Sequence, residues 1–565
     1  MRHSLSLVAL AALLLTVPGV PGVPAAPASA TDYDGTPHLV RDATPGGLGT
    51  SFVNSTARLG ERLVYAYQGT QGAEPWITDG SSAGTRILRD LGPGAEDSAP
   101  ADLTSYRGKV YFSAAGTGPS DRELWVTDGT PAGTTRVKDI RPGASGSYPS
   151  NLVVAGGWLY FSADDGVVGE ELWRTQGTAA TTQRVADLNP GGSGSGISEL
   201  TAWGDRVVFR AGKASTGNEP WVSDGTPGGT HPVGNIATGA SNSNPFGFTA
   251  FEVSGQPRFV FTATDDTHGY EMWISDGTTS GLVRDINLGA GQSASPRAYT
   301  RYGNRLLFTA RTGALGTELW ATDGTSGGTV LVKDIDPAPD ASGIDTEELV
   351  LFRNRIYFRG GTASGGKELW VSEGTAATTH VVRDIVPGDT GSYPGSFRVA
   401  GDRLYFSAQT PATGEELWQT DGTAGGTRLV ADLRPGPENS YVEPLATVAN
   451  TLFLETQESH GEELWATTLT ASVTAGHSRK ATRRADRRRR VVVTVTVRAS
   501  GTVPTGRIVL TRGSRVIGSG TLSAGRATIR ITKRLGVGKH RVRAAYAGSV
   551  RARPSQSAPF VIRIR

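Results

Sequence analysis

The octapeptide Glu123-Leu124-Trp125-Val126-Thr127-Asp128-Gly129-Thr130 decides the fold, because the chain repeats it nine times with variations. Each copy has a tryptophan at its centre and a glutamate two positions earlier. The tryptophans are Trp76, Trp125, Trp173, Trp221, Trp273, Trp320, Trp370, Trp418 and Trp465. The glutamates are Glu74, Glu123, Glu171, Glu219, Glu271, Glu318, Glu368, Glu416 and Glu463. The spacing of 47 to 52 residues between tryptophans predicts one structural unit for each copy.

The unit from Ser150 to Leu188 shows what each copy contains. Turn residues, among them Gly156-Gly157, separate four apolar segments, at 151–155, 159–162, 172–174 and 184–187. Apolar residues bounded by Gly, Asn and Asp predict β-strands joined by hairpins. Four strands in a repeat of this length are typical of a propeller blade. The sequence therefore predicts an all-β fold, a β-propeller of about nine four-stranded blades.

The two ends of the repeat region complement each other. Residues 39–42 have the pattern of a fourth strand that lacks the first three, whereas the copy from Thr451 to Trp465 lacks a fourth strand. Pairing of these N- and C-terminal strands would close the ring without a disulfide, which suits a chain with no cysteine. The alternative is an open β-solenoid, which would need atypical capping repeats.

Residues 36–470 resemble the bacterial ELWxxDGT repeat family. The resemblance rests on Glu123 to Thr130 and on Glu318-Leu319-Trp320-Ala321-Thr322-Asp323-Gly324-Thr325, which repeats the pattern in register. Gln176 and Glu373 depart from it at the turn aspartate, and Pro75 and Pro220 depart at the leucine. The resemblance implies a secreted or surface-associated protein and assigns no activity or catalytic residue.

Repetition in every copy favours structural roles for the recurring residues. We interpret the tryptophan as packing between blades rather than as a sugar-stacking platform, and Asp-Gly-Thr as a turn rather than a calcium loop. Near the same rim as the glutamate, an aspartate ends the fourth strand in eight copies: Asp42, Asp90, Asp139, Asp187, Asp285, Asp334, Asp384 and Asp432, with Asn235 in the ninth. Two interpretations remain. The carboxylates bind cations, or they cap turn N–H groups and pair with arginines such as Arg89, Arg284 and Arg383.

Specificity is expected where the copies differ, since variable loops on a rigid scaffold form binding surfaces. The largest irregularity is Asn242 to Gln256, which contains Phe246, Phe248 and Phe251. No metal site is expected, and the candidates for one are the paired aspartates in two loops: Asp164, Asp165, Asp265 and Asp266. No catalytic residue and no cofactor are predicted, and calcium-dependent stability is left as an alternative.

The N-terminus has the features of an export signal. A short basic start precedes the apolar run from Leu5 to Val17, and small residues end at Ala28-Ser29-Ala30. This pattern predicts a signal peptide over residues 1–30, cleaved after Ala30. No later segment is apolar for long enough to span a membrane, so the protein is expected outside the cell.

The C-terminal region differs in charge from the rest of the chain. Residues 477–565 contain 23 Lys and Arg against one acid, Asp486, whereas residues 1–476 contain 33 bases and 52 acids. We predict a basic linker over 471–490 and a small β-sandwich over 491–565. The sandwich resembles bacterial Ig-like domains at Pro504-Thr505-Gly506, at Gly525-Arg526-Ala527 and at Ala545 to Gly548.

Arginines alternate along the strands of this sandwich, which places positive charge on an outward face. The candidate polyanion-binding residues are Arg487, Arg488, Arg489, Arg490, Arg541 and Arg543. The expected partner is an anionic cell-wall polymer or an acidic polysaccharide, and docking on the chain's own acidic repeats is the alternative. Specific nucleic-acid recognition is not expected, because few aromatic residues interleave with the arginines.

Two functions are consistent with these patterns. The first is a secreted, monomeric, non-enzymatic binding or adhesion protein, with a ligand held by propeller loops and the basic sandwich as tether. The alternative is a secreted polysaccharide-active enzyme, a hydrolase or lyase on a propeller scaffold, which rests on fold analogy alone. Glycoside hydrolysis needs one carboxylate pair at a set separation, and no single pair stands out among the repeats.

Overall fold

The computed structural model describes residues 37–42, 55–116, 118–449, 451–458, 461–468, 472–476, 492–498, 506–513, 515–523, 526–531, 538–546, 555–556 and 560–564. These residues are nearly all β, and the only helices among them are two short 3-10 turns, Ala179–Thr181 and Ala376–Thr378. The predicted signal peptide over 1–30 lies outside the described residues.

The repeats form nine four-stranded antiparallel sheets within the described part of the chain, numbered 1 to 9 here in chain order. The first strands are Thr56–Leu59, Ala101–Tyr106, Ser150–Ala155, Ser198–Trp203, Phe246–Val253, Arg297–Tyr302, Val350–Phe352, Gly395–Ala400 and Glu443–Val448. The second strands are Arg62–Gly69, Lys109–Ala115, Trp158–Asp164, Arg206–Lys213, Gln256–Ala263, Arg305–Thr312, Arg355–Thr362, Arg403–Thr410 and Thr451–Glu458.

The third strands carry the Glu-x-Trp motif. They are Gly72–Thr78, Arg122–Thr127, Glu170–Thr175, Gly217–Ser223, Glu271–Ser275, Gly316–Thr322, Gly366–Ser372, Gly414–Thr420 and Gly461–Thr468. The fourth strands of sheets 1 to 8 are Arg86–Ile87, Thr135–Lys138, Gln183–Arg184, Thr230–Pro232, Ser280–Arg284, Val330–Lys333, His380–Arg383 and Arg428–Ala431.

The order of strands within a sheet follows the chain, because short hairpins connect them. At Gly156 and Gly157 both φ angles are positive, 54° and 78°. A two-residue hairpin of this kind needs positive φ at both positions, which glycine adopts without strain. The four strands predicted between Ser150 and Leu188 are therefore present, in the predicted order.

Sheet 9 takes its fourth strand from the other end of the repeat region. His38–Leu39 pairs antiparallel with Gly461–Thr468, with His38 opposite Ala466 and Leu39 opposite Trp465. The N–H of Val40 also donates to the Leu464 carbonyl over 2.9 Å.

Apolar clusters fill the seams between consecutive sheets. A further cluster joins sheet 9 to sheet 1 and includes Phe453 and Leu464 from one side and Tyr65 and Trp76 from the other. The tryptophan of each repeat lies in the seam with the preceding sheet, as Trp125 does between sheets 1 and 2. The interpretation of the tryptophan as a packing residue is thus confirmed.

The C-terminal residues form two further sheets. One has three strands, Ser472–Gly476, Val492–Arg498 and Arg526–Arg530. The other has five, Arg515–Leu522, Gly506–Arg512, Gly538–Tyr546, Ser555–Gln556 and Phe560–Ile564. Ser472–Gly476 falls inside the predicted linker 471–490 but pairs with Val492–Arg498, so the sandwich begins before the predicted boundary at Val491.

Candidate functional site

The nine glutamates of the repeat are buried rather than displayed on a rim. In sheet 2 the Glu123 carboxylate accepts the backbone N–H groups of Ile140 and Arg141 over 3.2 and 3.1 Å. Ser147 donates its hydroxyl over 2.6 Å and its N–H over 3.2 Å to the same carboxylate. Glu123 therefore ties the third strand to the connection that leads into the next sheet.

Sheets 1 and 3 to 8 repeat this arrangement. In sheet 7, for example, Glu368 accepts the N–H groups of Ile385 and Val386, both over 3.0 Å, and the Ser392 hydroxyl over 2.6 Å. In sheets 5 and 6 a further backbone N–H, of Ala294 and of Gly343, takes the place of the serine hydroxyl. Of the two interpretations of the carboxylates, local capping accounts for these contacts.

Burial raises the pKa of the repeat glutamates in sheets 1 to 8, although the hydrogen bonds that they accept lower it. The pKa values of Glu271, Glu318 and Glu416 are raised to about 7. The nearby strand-four aspartates Asp285, Asp334 and Asp432 add a smaller upward contribution through like-charge repulsion. The predicted proximity of glutamate and aspartate in one repeat is therefore present, but the glutamate side chain is enclosed.

The arginines expected to pair with these carboxylates bind elsewhere. Arg89, Arg284 and Arg383 each donate to a backbone carbonyl of the next sheet, on Thr134, Thr329 and Thr427, over 2.8, 2.6 and 2.5 Å. These arginines lie at or just after the end of the fourth strand, and their side chains extend to the neighbouring repeat. They therefore join consecutive sheets rather than neutralising the acids of their own.

The Asp-Gly-Thr segment is a turn, as predicted. Asp128 accepts the N–H and the hydroxyl of Thr130 over 3.0 and 2.7 Å, and Gly129 has a φ of 91°. The Thr130 hydroxyl and N–H bonds lower the pKa of Asp128. Such an Asx turn uses the aspartate within its own loop.

The paired aspartates of sheet 3 are engaged by arginines and by their own loop. Arg141 donates to Asp164 over 2.5 Å and Arg184 donates to Asp165 over 2.8 Å. Asp165 also accepts the N–H groups of Val167 and Val168 over 2.9 and 3.1 Å. Two arginine cations adjacent to these carboxylates disfavour a metal ion there.

The paired aspartates of sheet 5 have different partners. Asp265 accepts the His268 ring N–H over 2.9 Å, and this bond raises the pKa of His268. Asp266 accepts the N–H of Thr238 over 2.9 Å, and also its hydroxyl. Within the described residues no group of three or more acidic or histidine side chains is placed to hold a metal ion.

The segment from Asn242 to Gln256 is more regular than the sequence suggests. Phe246–Val253 is the first strand of sheet 5. Phe248 and Phe251 are buried in the seams with neighbouring sheets, and Arg297 lies over the Phe246 ring at 5.3 Å from its centroid. The phenylalanines therefore serve packing rather than an exposed loop.

The five-stranded C-terminal sheet carries exposed arginines. Arg541 and Arg543 alternate with the buried Val542 and Ala544 on strand Gly538–Tyr546. Arg507 is exposed on the neighbouring strand Gly506–Arg512. The chain has no acid after Asp486, so the five strands of this sheet contain no Asp or Glu to offset these charges. The other candidates, Arg487, Arg488, Arg489 and Arg490, lie outside the described residues.

Sequence reasoning did not identify a polar pocket of about 460 Å³ between sheets 7 and 8. Its lining includes Glu348, Arg359, Tyr393, Gln409 and Glu415. One difference in residue spacing between the repeats indicates this pocket. Six positions separate Gly343 from Leu349 at the start of sheet 7, whereas five separate Ser392 from Phe397 at the equivalent place in sheet 8.

Helices capable of crossing a membrane are not found in the described part of the chain. A search of curated proteins finds no match to the sequence.

Solved structures with some similarity include two peptidases. Acylaminoacyl peptidase of Pyrococcus horikoshii is 12% identical with a TM-score of 0.30, over 59% of this chain and 52% of that one. A puromycin-hydrolyzing peptidase of Mycobacterium tuberculosis is 10% identical with a TM-score of 0.36, over 76% of this chain and 61% of that one. The match therefore spans just over half the length of each peptidase.

Sqt1 of Saccharomyces cerevisiae is 12% identical with a TM-score of 0.36, over 65% of this chain and 95% of that one. Similarities of this strength indicate no shared activity or ligand.

The family comparison gives a match in the C-terminal region of the chain. Residues 460–565 match the family described as Bacterial Ig-like domain (group 3), so the chain ends in a bacterial Ig-like domain.

Proposed function

We propose that this is a secreted, non-enzymatic binding or adhesion protein of the ELWxxDGT repeat family. Its nine sheets form a closed propeller that presents the ligand site, and its Ig-like domain tethers it to an anionic surface polymer. Removal of residues 1–30 as a signal peptide belongs to the same proposal.

The contacts between sheets 1 and 9 support a closed ring. An open solenoid would hold its terminal sheets apart. Here His38–Leu39 completes sheet 9, and Trp76 of sheet 1 packs with Phe453 of sheet 9. The first strands also contact one another in consecutive sheets from 1 to 7, in sheets 8 and 9, and in sheets 9 and 1, which suits strands placed around a central axis.

The single observation that carries the tether is the exposed row of Arg541 and Arg543 in a domain with no acid after Asp486. Uncompensated surface cations attract polyanions, and salt screens the attraction. The recurring glutamates of the repeats are buried, and as anions they would not attract such a partner.

A salt titration of polymer binding tests the tether. The purified full chain is applied to immobilised polygalacturonate and to immobilised polyglycerol phosphate at increasing NaCl concentrations. We expect retention to fall with salt, and the double variant Arg541→Gln/Arg543→Gln to be released at lower salt. The matched control Arg58→Gln/Arg62→Gln removes two exposed arginines of sheet 1 and should behave as the parent protein.

Equal retention of the parent and the Arg541→Gln/Arg543→Gln protein at every salt concentration would overturn the tether. So would equal weakening by the control pair, because that result would assign binding to overall charge.

A further inference from the structure

The pocket between sheets 7 and 8 exists because of local departures from the repeat. The first strand of sheet 7 is only three residues long, Val350–Phe352. In sheet 8, Gly395 takes the position that Phe246 and Arg297 occupy in sheets 5 and 6, as its pairing with Ser407 shows. A shortened strand and a missing side chain leave space for the pocket beside the apolar cluster of this seam.

One wall of the pocket holds a fixed guanidinium. Arg359 donates from Nε to the Asp345 carboxylate over 2.8 Å and from Nη2 to the Asp345 carbonyl over 3.2 Å. Its Nη1 lies 3.9 Å from the point where a Cβ on Gly395 would stand. The remaining donor therefore faces the space that Gly395 leaves open, and its position is set by Asp345.

The opposite wall presents an amide, a carboxylate and an aromatic ring. Gln409 and Glu415 are directly paired across neighbouring strands of sheet 8. Tyr393 is 45% exposed, and its N–H donates to the Lys367 carbonyl over 3.0 Å. Its φ of 46° is uncommon for tyrosine, so the surrounding backbone holds the residue in this conformation.

The net charge of the residues that line the pocket determines which ligands it favours. Asp345 offsets the charge of Arg359, which leaves the carboxylates of Glu348 and Glu415 as the excess. A negative lining disfavours acidic ligands. Fixed donors and acceptors beside an aromatic ring can bind the hydroxyl groups and the apolar face of a sugar, and the ring also attracts a cation.

We propose that this pocket binds a sugar unit of a neutral or amino-bearing glycan, and not of an acidic one. Tyr393 stacks on the sugar ring, while Gln409, Glu415 and Arg359 hydrogen-bond its hydroxyl or amino groups. This proposal rests on the proposed binding role of the nine-sheet region, and it assigns that region a ligand different from the anionic polymer of the tether.

Calorimetric titration of the full chain with four hexasaccharides tests the proposal. The probes are the β-1,4-linked hexamers of glucose, N-acetylglucosamine and glucosamine, and the α-1,4-linked hexamer of galacturonic acid. We expect binding of at least one of the first three and at least about tenfold weaker binding of the galacturonate hexamer. Tyr393→Ala and Glu415→Gln should each weaken binding about tenfold with unchanged melting temperature.

Tyr148→Ala is the matched control, because Tyr148 occupies the equivalent Ser-Tyr-Pro position in sheet 3 and is 51% exposed. It should bind as the parent does. Failure of all three non-acidic hexamers to bind, or equal loss in Tyr148→Ala and Tyr393→Ala, would overturn the proposal. Retention on the anionic polymers depends on Arg541 and Arg543, so the two proposals fail independently.

Discussion

The Tyr67 hydroxyl donates a hydrogen bond to the Glu463 carboxylate and so links sheet 1 to sheet 9. In sheet 2 a serine hydroxyl of the following connection, Ser147, fills this role for Glu123. Tyr67 stands where Ala114 and Ala163 stand in sheets 2 and 3, opposite the repeat glutamate. A residue peculiar to sheet 1 therefore caps the glutamate of sheet 9.

Removal of this hydroxyl should destabilise the contact between sheets 1 and 9. Tyr67→Phe removes one donor from the buried Glu463 carboxylate, which costs about 1–3 kcal/mol. We expect a lower melting temperature by calorimetry. Tyr441→Phe removes the hydroxyl of a tyrosine that is 55% exposed and should melt as the parent does. Identical melting of both variants would contradict the assigned role of Tyr67.

The raised pKa values of the buried glutamates predict a pH-dependent stability. A carboxyl whose pKa rises from 4.5 in the unfolded chain to about 7 in the folded one binds more protons when folded between these values. Stability must then fall as pH rises from about 4.5 to about 7. Melting temperatures should decrease between pH 5 and pH 7 and level off at higher pH.

Glu318→Gln removes one titrating group and should reduce this dependence, whatever its effect on absolute stability. A steeper decrease in Glu318→Gln than in the parent would be evidence against the assignment.

The cations at the ends of the fourth strands should stabilise the seams between sheets. Lys333 donates to the Thr379 carbonyl of the next sheet over 2.9 Å and lies 5.6 Å from the centroid of the Trp370 ring. Loss of both contacts in Lys333→Met should cost about 1–2 kcal/mol in urea unfolding. Lys109→Met, at an exposed lysine of sheet 2, serves as control and should change little. An equal change in the free energy of unfolding for the two variants would contradict a stabilising role of these contacts.

The turn glycines should tolerate substitution unequally. Gly324 has a φ of 88°, and a Cβ there would lie 2.4 Å from the Val253 side chain of the preceding sheet. We expect Gly324→Ala to lower the free energy of unfolding by about 1–3 kcal/mol. Gly327→Ala, three residues later, has open space and should be neutral or slightly stabilising. A comparable decrease in the free energy of unfolding in both variants would contradict this explanation. It would show that the number of glycines in the turn, and not the φ angle and close packing at Gly324, determines stability.

The repeated strands could be predicted from sequence because alternation, glycine turns and the fixed spacing of tryptophans all agree, as in the unit from Ser150 to Leu188. The packing role of the tryptophans followed from the same regularity. Sequence patterns could not show which sheet a side chain reaches. The sequence predicts that Arg89, Arg284 and Arg383 pair with nearby acids, whereas their side chains extend into the next repeat.

Two features were missed for a related reason. Ser472–Gly476 lies beside a basic stretch and has little apolar content, so only its pairing with Val492–Arg498 identifies it as a strand. The pocket at Tyr393 depends on one extra residue before Leu349 and on Gly395 across the seam, in two different repeats. Comparing repeats one at a time does not bring these positions together.

The pairing of His38–Leu39 with Gly461–Thr468 has a consequence for how the protein folds. Leu39 can pair with Trp465 only after Trp465 has been synthesised. Sheet 9 therefore cannot be completed until nearly the whole repeat region exists. Closing so long a loop is slow, and until then the third strand of sheet 9 has an unpaired edge that can recruit other chains. Aggregation during folding should therefore depend on how quickly His38 and Leu39 pair with the third strand of sheet 9.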